Sequence, residues 1–155
     1  MPSTHHSLLV HLVFSTKHRS RLLQPEWRND LFAYIGGIAK QQQSTLLRAG
    51  GVEDHVHLLL KIHPSFALAD TIRLIKASSS KWVNKSGKVP GRFEWQRGYG
   101  AFSVSESMSD TVKRYIEYQE DHHRATSFEN EYLAFLHRHK IEFDERYVFD
   151  AETME

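Results

Sequence analysis

Ser44-Thr45-Leu46-Leu47-Arg48-Ala49-Gly50-Gly51-Val52-Glu53-Asp54-His55-Val56-His57-Leu58-Leu59-Leu60-Lys61-Ile62 is the stretch that decides the fold. Two β-rich runs, 44–49 and 54–62, flank Gly50-Gly51, and the glycine pair reads as the turn of a hairpin. Upstream, residues 7–15 (Ser-Leu-Leu-Val-His-Leu-Val-Phe-Ser) form a run of the same kind, too short and β-branched for a helix. Between these strands Gln24-Pro25-Glu26 opens a helix to about Gln42, because proline is tolerated in a first turn and an acid suits a helix start. Leu31, Tyr34, Ile35 and Ile38 keep its helical spacing, while Gly36-Gly37 weakens it and marks close packing.

Downstream, a helix over about 66–84 places Leu68, Ile72, Ile75 and Trp82 on one face. Residues 86–100 hold four glycines and a proline and read as a loop. Ala101–Ser105 is a short fourth strand. Ser107-Met108-Ser109-Asp110 caps a helix to about His123, and another helix follows over about 127–139. Residues 140–155 read as a tail. The order β-α-β-β-α-β-α with an added C-terminal helix is the ferredoxin-like, RRM-like split β-α-β pattern of the α+β class. It predicts an antiparallel sheet with helices on one face, a tyrosine-bearing helix and an extra C-terminal helix. No linker divides the chain, so residues 1–155 are expected as a single domain with its core at about 6–125.

The chain has 155 residues, and 40% hydrophobic content argues for a folded protein. It has no cysteine, which excludes disulfides, Cys-type zinc fingers and thiol catalysis. The first cation is Lys17 and no apolar run could span a bilayer, so a cytoplasmic protein without a membrane partner is expected. The net charge of +1 hides a polarised chain: residues 1–100 carry 14 basic and 6 acidic groups, and residues 101–155 carry 6 and 13. Such asymmetry points to a polyanion-facing body.

His55-Val56-His57 carries the sharpest chemical signal. On a strand, residues i and i+2 share a face at roughly 6.5–7 Å between Cα atoms, so two imidazoles can close on one divalent ion. With 11 histidines, chance pairs are expected too. His5-His6 and His122-His123 read as such pairs, solvated at exposed ends. On the helix 110–123, Val112, Tyr115, Ile116 and Gln119 lie at i, i+3, i+4 and i+7, facing the sheet. A Gln on a buried face needs partners, and a metal would satisfy its carbonyl oxygen. Tyrosine is a competent covalent nucleophile once a cation or base assists it. Together these residues describe a metal-assisted phosphodiester transfer site.

At this point the chain resembles the single-tyrosine HUH transposases of the insertion-sequence 200/605 family. The matching stretches are Val10–Lys17, His55-Val56-His57-Leu58-Leu59, Gly98–Ser105 and Val112–Gln119, in order over about residues 6–125. The resemblance implies that His55 and His57 are metal ligands, Gln119 the third ligand and Tyr115 the nucleophile. It implies a homodimer that binds single-stranded DNA hairpins at element ends and works with Mg²⁺ or Mn²⁺. No organic cofactor is implied. Cleavage would leave a 5′-phosphotyrosine and a free 3′-OH. One departure is Tyr118, where the family often has Asn. On helical geometry Tyr118 points about 60° away from Tyr115, so Tyr115 is preferred.

The DNA-facing candidates are Lys17, Arg19 and Arg21, then Arg73, Lys76, Lys81, Lys85, Lys88, Arg92 and Arg97. Phe93, Trp95 and Tyr99 interleave with these charges and are candidates for stacking on unpaired bases, whereas Trp82 is expected in the core. Three rival readings share parts of this pattern. They are a domesticated relative that processes chromosomal repeat hairpins, a nonenzymatic RRM-like nucleic-acid-binding module, and a small structural zinc protein.

Overall fold

A computed structural model of the chain describes residues 3–144 and 148–149. Strands β1 (Leu9–Ser15), β2 (Thr45–Gly51), β3 (His55–Lys61) and β4 (Gly100–Val104) alternate with helices α1 (Pro25–Gln41) and α2 (Leu68–Ser86). Helices α3 (Ser109–Glu117), α4 (Gln119–His122) and α5 (Phe128–Arg138) complete the chain. The sheet order is β2-β3-β1-β4 and every pairing is antiparallel. This is the expected split β-α-β arrangement.

The period of two along the strands sorts side chains between two faces. Leu12, Phe14, Val56, Leu58 and Leu60 turn to one face, where Leu31 and Ile35 of α1 and Ile72 and Ile75 of α2 meet them. Leu9, Val13, Leu59 and Phe102 turn to the other, beneath Ile116 of α3 and Phe128, Phe135 and Leu136 of α5. So α1 and α2 share one face, and the tyrosine-bearing and C-terminal helices take the opposite one.

Helix α1 begins with Pro25 in its first turn. Helix α2 runs two residues later than the spacing suggests. Ala67 is still extended (φ −67°, ψ 134°), and Gly87 ends the helix in the left-handed region at φ +63°. The segment after α2 is tied down by Asn84, whose side chain accepts from Phe93 N (2.7 Å) and donates to Phe93 O (3.0 Å).

That clamp corrects one expectation. Phe93 is completely buried and Trp95 nearly so, packed edge-on at 4.8 Å with Trp95 also against Phe14. Trp95 Nε1 donates to Ser79 Oγ at 2.9 Å. Neither ring is available to stack on a base, because burying apolar area outweighs exposure in a loop this short. Tyr99 does remain exposed. Trp82 is half-buried against the α1–α2 core and stacks on Tyr34 with centroids 5.4 Å apart.

The helix expected over 110–123 is broken. Tyr118 leaves helical geometry (φ −102°, ψ 31°) and divides α3 from α4. Helix α3 lies almost in contact with β2: a Cβ at Gly50 would sit 2.1 Å from the Ile116 carbonyl oxygen, so only glycine fits. Helix α5 starts where expected, with Ser127 Oγ accepting from Asn130 N at 3.2 Å. The expected tail is partly packed, since Phe143, Val148 and Phe149 lie against the α5 cluster. Residues 145–147 and 150–155 fall outside the described residues. Among the described residues no helix is long and apolar enough to cross a membrane.

Candidate metal and nucleophile site

The register of β3 against β1 places His57 opposite Val13 and His55 opposite Ser15, on the face covered by α3–α5. Both histidines are completely buried. Each has its Nδ1 side occupied. His55 Nδ1 donates to Asp54 Oδ1 at 2.7 Å, and His57 Nδ1 lies 2.8 Å from Nε2 of His11, its diagonal neighbour on β1. This leaves both Nε2 atoms facing one point, the arrangement in which an outer partner orients a metal-binding imidazole.

Three further groups converge there. Gln119 is buried; its Nε2 donates to Tyr115 O at 3.2 Å, which aims its Oε1 at His55 Nε2, 3.4 Å away. His123 donates from Nδ1 to Thr126 O at 2.6 Å and turns Nε2 inward. Glu131 of α5 places Oε1 2.9 Å from His57 Nε2, 3.3 Å from His55 Nε2 and 3.1 Å from His123 Nε2. One donor atom from each of His55, His57, His123 and Glu131 lies within 4.8 Å of the others, close enough to share one ion. The donor chemistry fits a divalent cation. Buried His123 Nε2 contacts Glu131 Oε1 but makes no well-aligned hydrogen bond among the described residues, so it can serve as a ligand atom.

The Tyr115 hydroxyl donates to Glu131 Oε2 and lies 3.3 Å from His122 Nε2. Its ring packs edge-on against His57 and Phe135. Tyr118 is 59% exposed, and its hydroxyl makes none of these contacts.

The electrostatics follow from burial and from Glu131. Burial depresses His57 to about 4, outweighing its carboxylate partner, and depresses His11 to about 3 with help from His57. Burial opposes the charge on His55 as well, but hydrogen bonds to Asp54 and Glu131 win and raise it to about 8. Burial likewise opposes ionisation of Glu131, yet the surrounding imidazoles hold it well below the usual carboxylate range. Tyr115 is pushed up, first by burial and then by Glu131. The tyrosine therefore needs a nearby cation to act as a nucleophile at neutral pH.

These shifts fix the pH dependence of the metal-free protein. His55, raised above 6.5, contributes stability fully below 6.5, and this is lost as pH rises through 8. His11 and His57, lowered below 6.5, withdraw stability as pH falls from 6.5 toward 4. Thermal stability should peak at pH 6.5–7. Circular-dichroism melts at pH 5 should show a midpoint lower by roughly 5 °C or more, taking about 2 kcal/mol per buried histidine. A flat profile from pH 5 to 9 would contradict the buried-histidine assignment.

The structure thus brings together His55, His57, Tyr115 and Gln119, and it adds residues that sequence reasoning missed. His123 is not solvated: its side chain is 9% exposed and inside the cluster, because the turn after α4 directs it inward. His122 is 35% exposed but touches Tyr115 and Glu131. The signal for Glu131 was its place among Phe128, Phe135 and Leu136 on the buried stripe of α5.

The basic candidates are spread more widely. Arg21 lines a groove of about 580 Å³ that opens on Asp54, His123 and Arg124. Lys17 pairs with Glu94 and Arg19 with Glu129. Lys76 donates to the carbonyls of Gln96 (2.8 Å) and Gly98 (2.6 Å), so it also braces the loop before β4. Arg73 pairs with Asp70, Arg92 with Glu94, and Lys88 lies over the Trp82 ring. Arg73, Lys81, Lys85, Lys88, Arg92 and Arg97 are exposed, on α2 and the loop after it.

The profile of IS200-like transposases matches residues 4–119. The ISDra2 transposase TnpA of Deinococcus radiodurans is 29% identical over 121 residues, covering 75% of this chain and 86% of that protein. The transposase for insertion sequence element IS200 of Salmonella typhimurium is 25% identical over 114 residues, covering 70% and 74%. A crystallised transposase candidate from Deinococcus radiodurans superimposes with a TM-score of 0.62 at 28% identity, over 77% of this chain and 95% of that one. A REP-associated tyrosine transposase bound to a REP hairpin shares the fold at a TM-score of 0.53 and 14% identity, over 75% and 70%.

Proposed function

The chain belongs to the IS200-like transposase family, and from that premise we propose that it cleaves and rejoins single-stranded DNA through a Tyr115 phosphotyrosine. The reading assigns His55, His57 and Gln119 to a divalent ion. The observation that carries it is the convergence of both histidine Nε2 atoms, the Gln119 Oε1 and the Tyr115 hydroxyl in one buried cluster. When bound, the ion, Mg²⁺ or Mn²⁺, would polarise the scissile phosphate and offset charge on the departing oxygen. Imidazole donors favour Mn²⁺ of the two.

Tyr115 attacks phosphorus; the bond from phosphorus to the 3′ oxygen breaks as the bond to the tyrosine oxygen forms. The phenolic proton is lost and the leaving 3′ oxygen gains one. The phosphodiester is conserved as a 5′-phosphotyrosine, so the 3′-OH at a new junction can reverse the step without ATP. The buried faces of α3 and α5 exclude water that would otherwise hydrolyse the intermediate.

Hairpin recognition is supported by the fold neighbour that holds a REP hairpin. A second reading is a domesticated relative that processes chromosomal repeat hairpins with the same chemistry. Matching subterminal hairpins flanking the gene would select the mobile form. A nonenzymatic RRM-like module fits less well, because helices α3–α5 cover the sheet face that such a module would offer to bases.

Incubation with the hairpin-bearing single strand from the flanks of the gene should give a covalent protein–DNA band on a denaturing gel. Noncovalent binding should weaken with salt, with a slope of log K on log salt near −3 if about four phosphates are neutralised. Absence of any covalent band with Mn²⁺ present would revive the nonenzymatic readings.

A further inference from the structure

The family match ends at residue 119, whereas two groups in the cluster come from beyond it. We propose that His123 and Glu131 complete the metal centre, and that the Glu131 carboxylate spans ion and nucleophile. One oxygen would ligate the ion while the other holds the Tyr115 hydroxyl. The inference rests on the metal-dependent reading above and deepens it.

Burial sets the first argument. Glu131 is 3% exposed on a helix face whose other buried members are Phe128, Phe135 and Leu136. An apolar side chain would pack there without desolvating a carboxylate, which costs several kcal/mol unless strong partners offset it. Packing does not explain the choice; a ligand role does. Orientation is the second argument. All three imidazoles have Nδ1 engaged, by Asp54, His11 and the Thr126 carbonyl, so all three present Nε2. Three independent outer contacts that leave the same ring atom facing one carboxylate oxygen are what a metal centre requires. The third argument is the placement of His123 Nε2, buried and 3.1 Å from that oxygen without a well-aligned hydrogen bond to any described residue.

The two Glu131 oxygens do different work. Oε1 faces the three Nε2 atoms, and Oε2 faces Tyr115 and His122. A carboxylate held by the ion is thereby fixed in position for the tyrosine. Three imidazoles, one carboxylate and the Gln119 carbonyl oxygen suit Mn²⁺, Co²⁺ or Zn²⁺, whereas Mg²⁺ favours an all-oxygen set and retained water. The centre should therefore bind Mn²⁺ in clear preference to Mg²⁺.

The test titrates the full-length protein with Mn²⁺ by calorimetry and with Co²⁺ by visible absorption, without DNA. E131Q and H123A should each weaken Mn²⁺ binding by about tenfold or more and change the Co²⁺ spectrum. H57A is the control for the metal reading. Adduct formation at saturating Mn²⁺ separates the two roles: H123A should recover its rate, because His123 does not hold Tyr115, whereas E131Q should stay at least tenfold slow. If H57A abolishes Mn²⁺ binding but E131Q and H123A bind within twofold of wild type, this inference is overturned and the HUH reading stands. If H57A binds Mn²⁺ normally, both fall. Full recovery of E131Q at saturating Mn²⁺ would overturn the spanning role of Glu131. Should E131Q fail to fold, E131D keeps the carboxylate one methylene short, and it should bind Mn²⁺ while remaining slow at saturation.

Discussion

Tyr115→Phe should abolish covalent attachment to the hairpin strand, by roughly 10⁴-fold or more, while Tyr118→Phe should leave it within a few-fold of wild type. The magnitude follows from chemistry. The substitution at Tyr115 keeps the ring and its packing but removes the oxygen proposed to bond to phosphorus, so no residual route through this position would exist. The contrast follows from position. Close contact of α3 with Gly50 and burial of Ile116 fix the helix on the sheet, which turns Tyr115 toward His57 and Glu131. Tyr118 ends that helix, is mostly exposed, and lies off the face of Gln119. Denaturing gels on the two variants decide the assignment, and retained noncovalent binding by both would show that folding is intact. A reversed outcome, with Tyr118→Phe inactive and Tyr115→Phe active, would reassign the nucleophile.

Local pattern carried much of this site and stopped where tertiary direction took over. His55 and His57 could be placed on one face because a strand has a period of two, which no tertiary contact alters. Tyr115 and Gln119 kept their common face even though the helix breaks at Tyr118, because four residues of near-helical chain still return to the same side. His123 was illegible for the opposite reason. It leaves α4 through a turn, and its ring direction is set by tertiary contacts with the Thr126 carbonyl, Glu131 and the His55 ring. Adjacent residues such as His122 and His123 give no periodic signal. Glu131 was legible in principle, as an acid on an apolar helical stripe, but its meaning depends on what lies across the fold. Phe93 and Trp95 show the same limit: interleaved charges suggested a base-stacking loop, and the Asn84 clamp instead folds both rings into the core. The sharp charge division now has two parts. The basic surplus lies largely on α2 and its following loop, behind the sheet, while acids such as Asp54 and Glu131 orient the histidines in front.

That separation of charge from chemistry sets the second large effect. His57→Ala, like removal of divalent ions with EDTA, should slow adduct formation by about 10³-fold or more, with hairpin affinity changed less than tenfold. His57 is the centre of the cluster: completely buried, held through Nδ1 by His11, and 2.9 Å from Glu131. Burial keeps it neutral at pH 7, so the ring carries a lone pair and an ion does not have to compete with an imidazolium. Removing the ring deletes a proposed ligand and frees His11, while the exposed cations of α2 on the opposite face are untouched. Tyr115 is raised by burial and by Glu131, so without a cation its hydroxyl stays protonated and the reaction has no activated nucleophile. The measurement pairs a denaturing gel for adduct with a filter-binding or anisotropy titration for affinity. Mn²⁺ should restore the EDTA-treated protein and not the His57→Ala variant. Undiminished cleavage in EDTA would remove the metal from the reaction and leave the histidine cluster as a structural network.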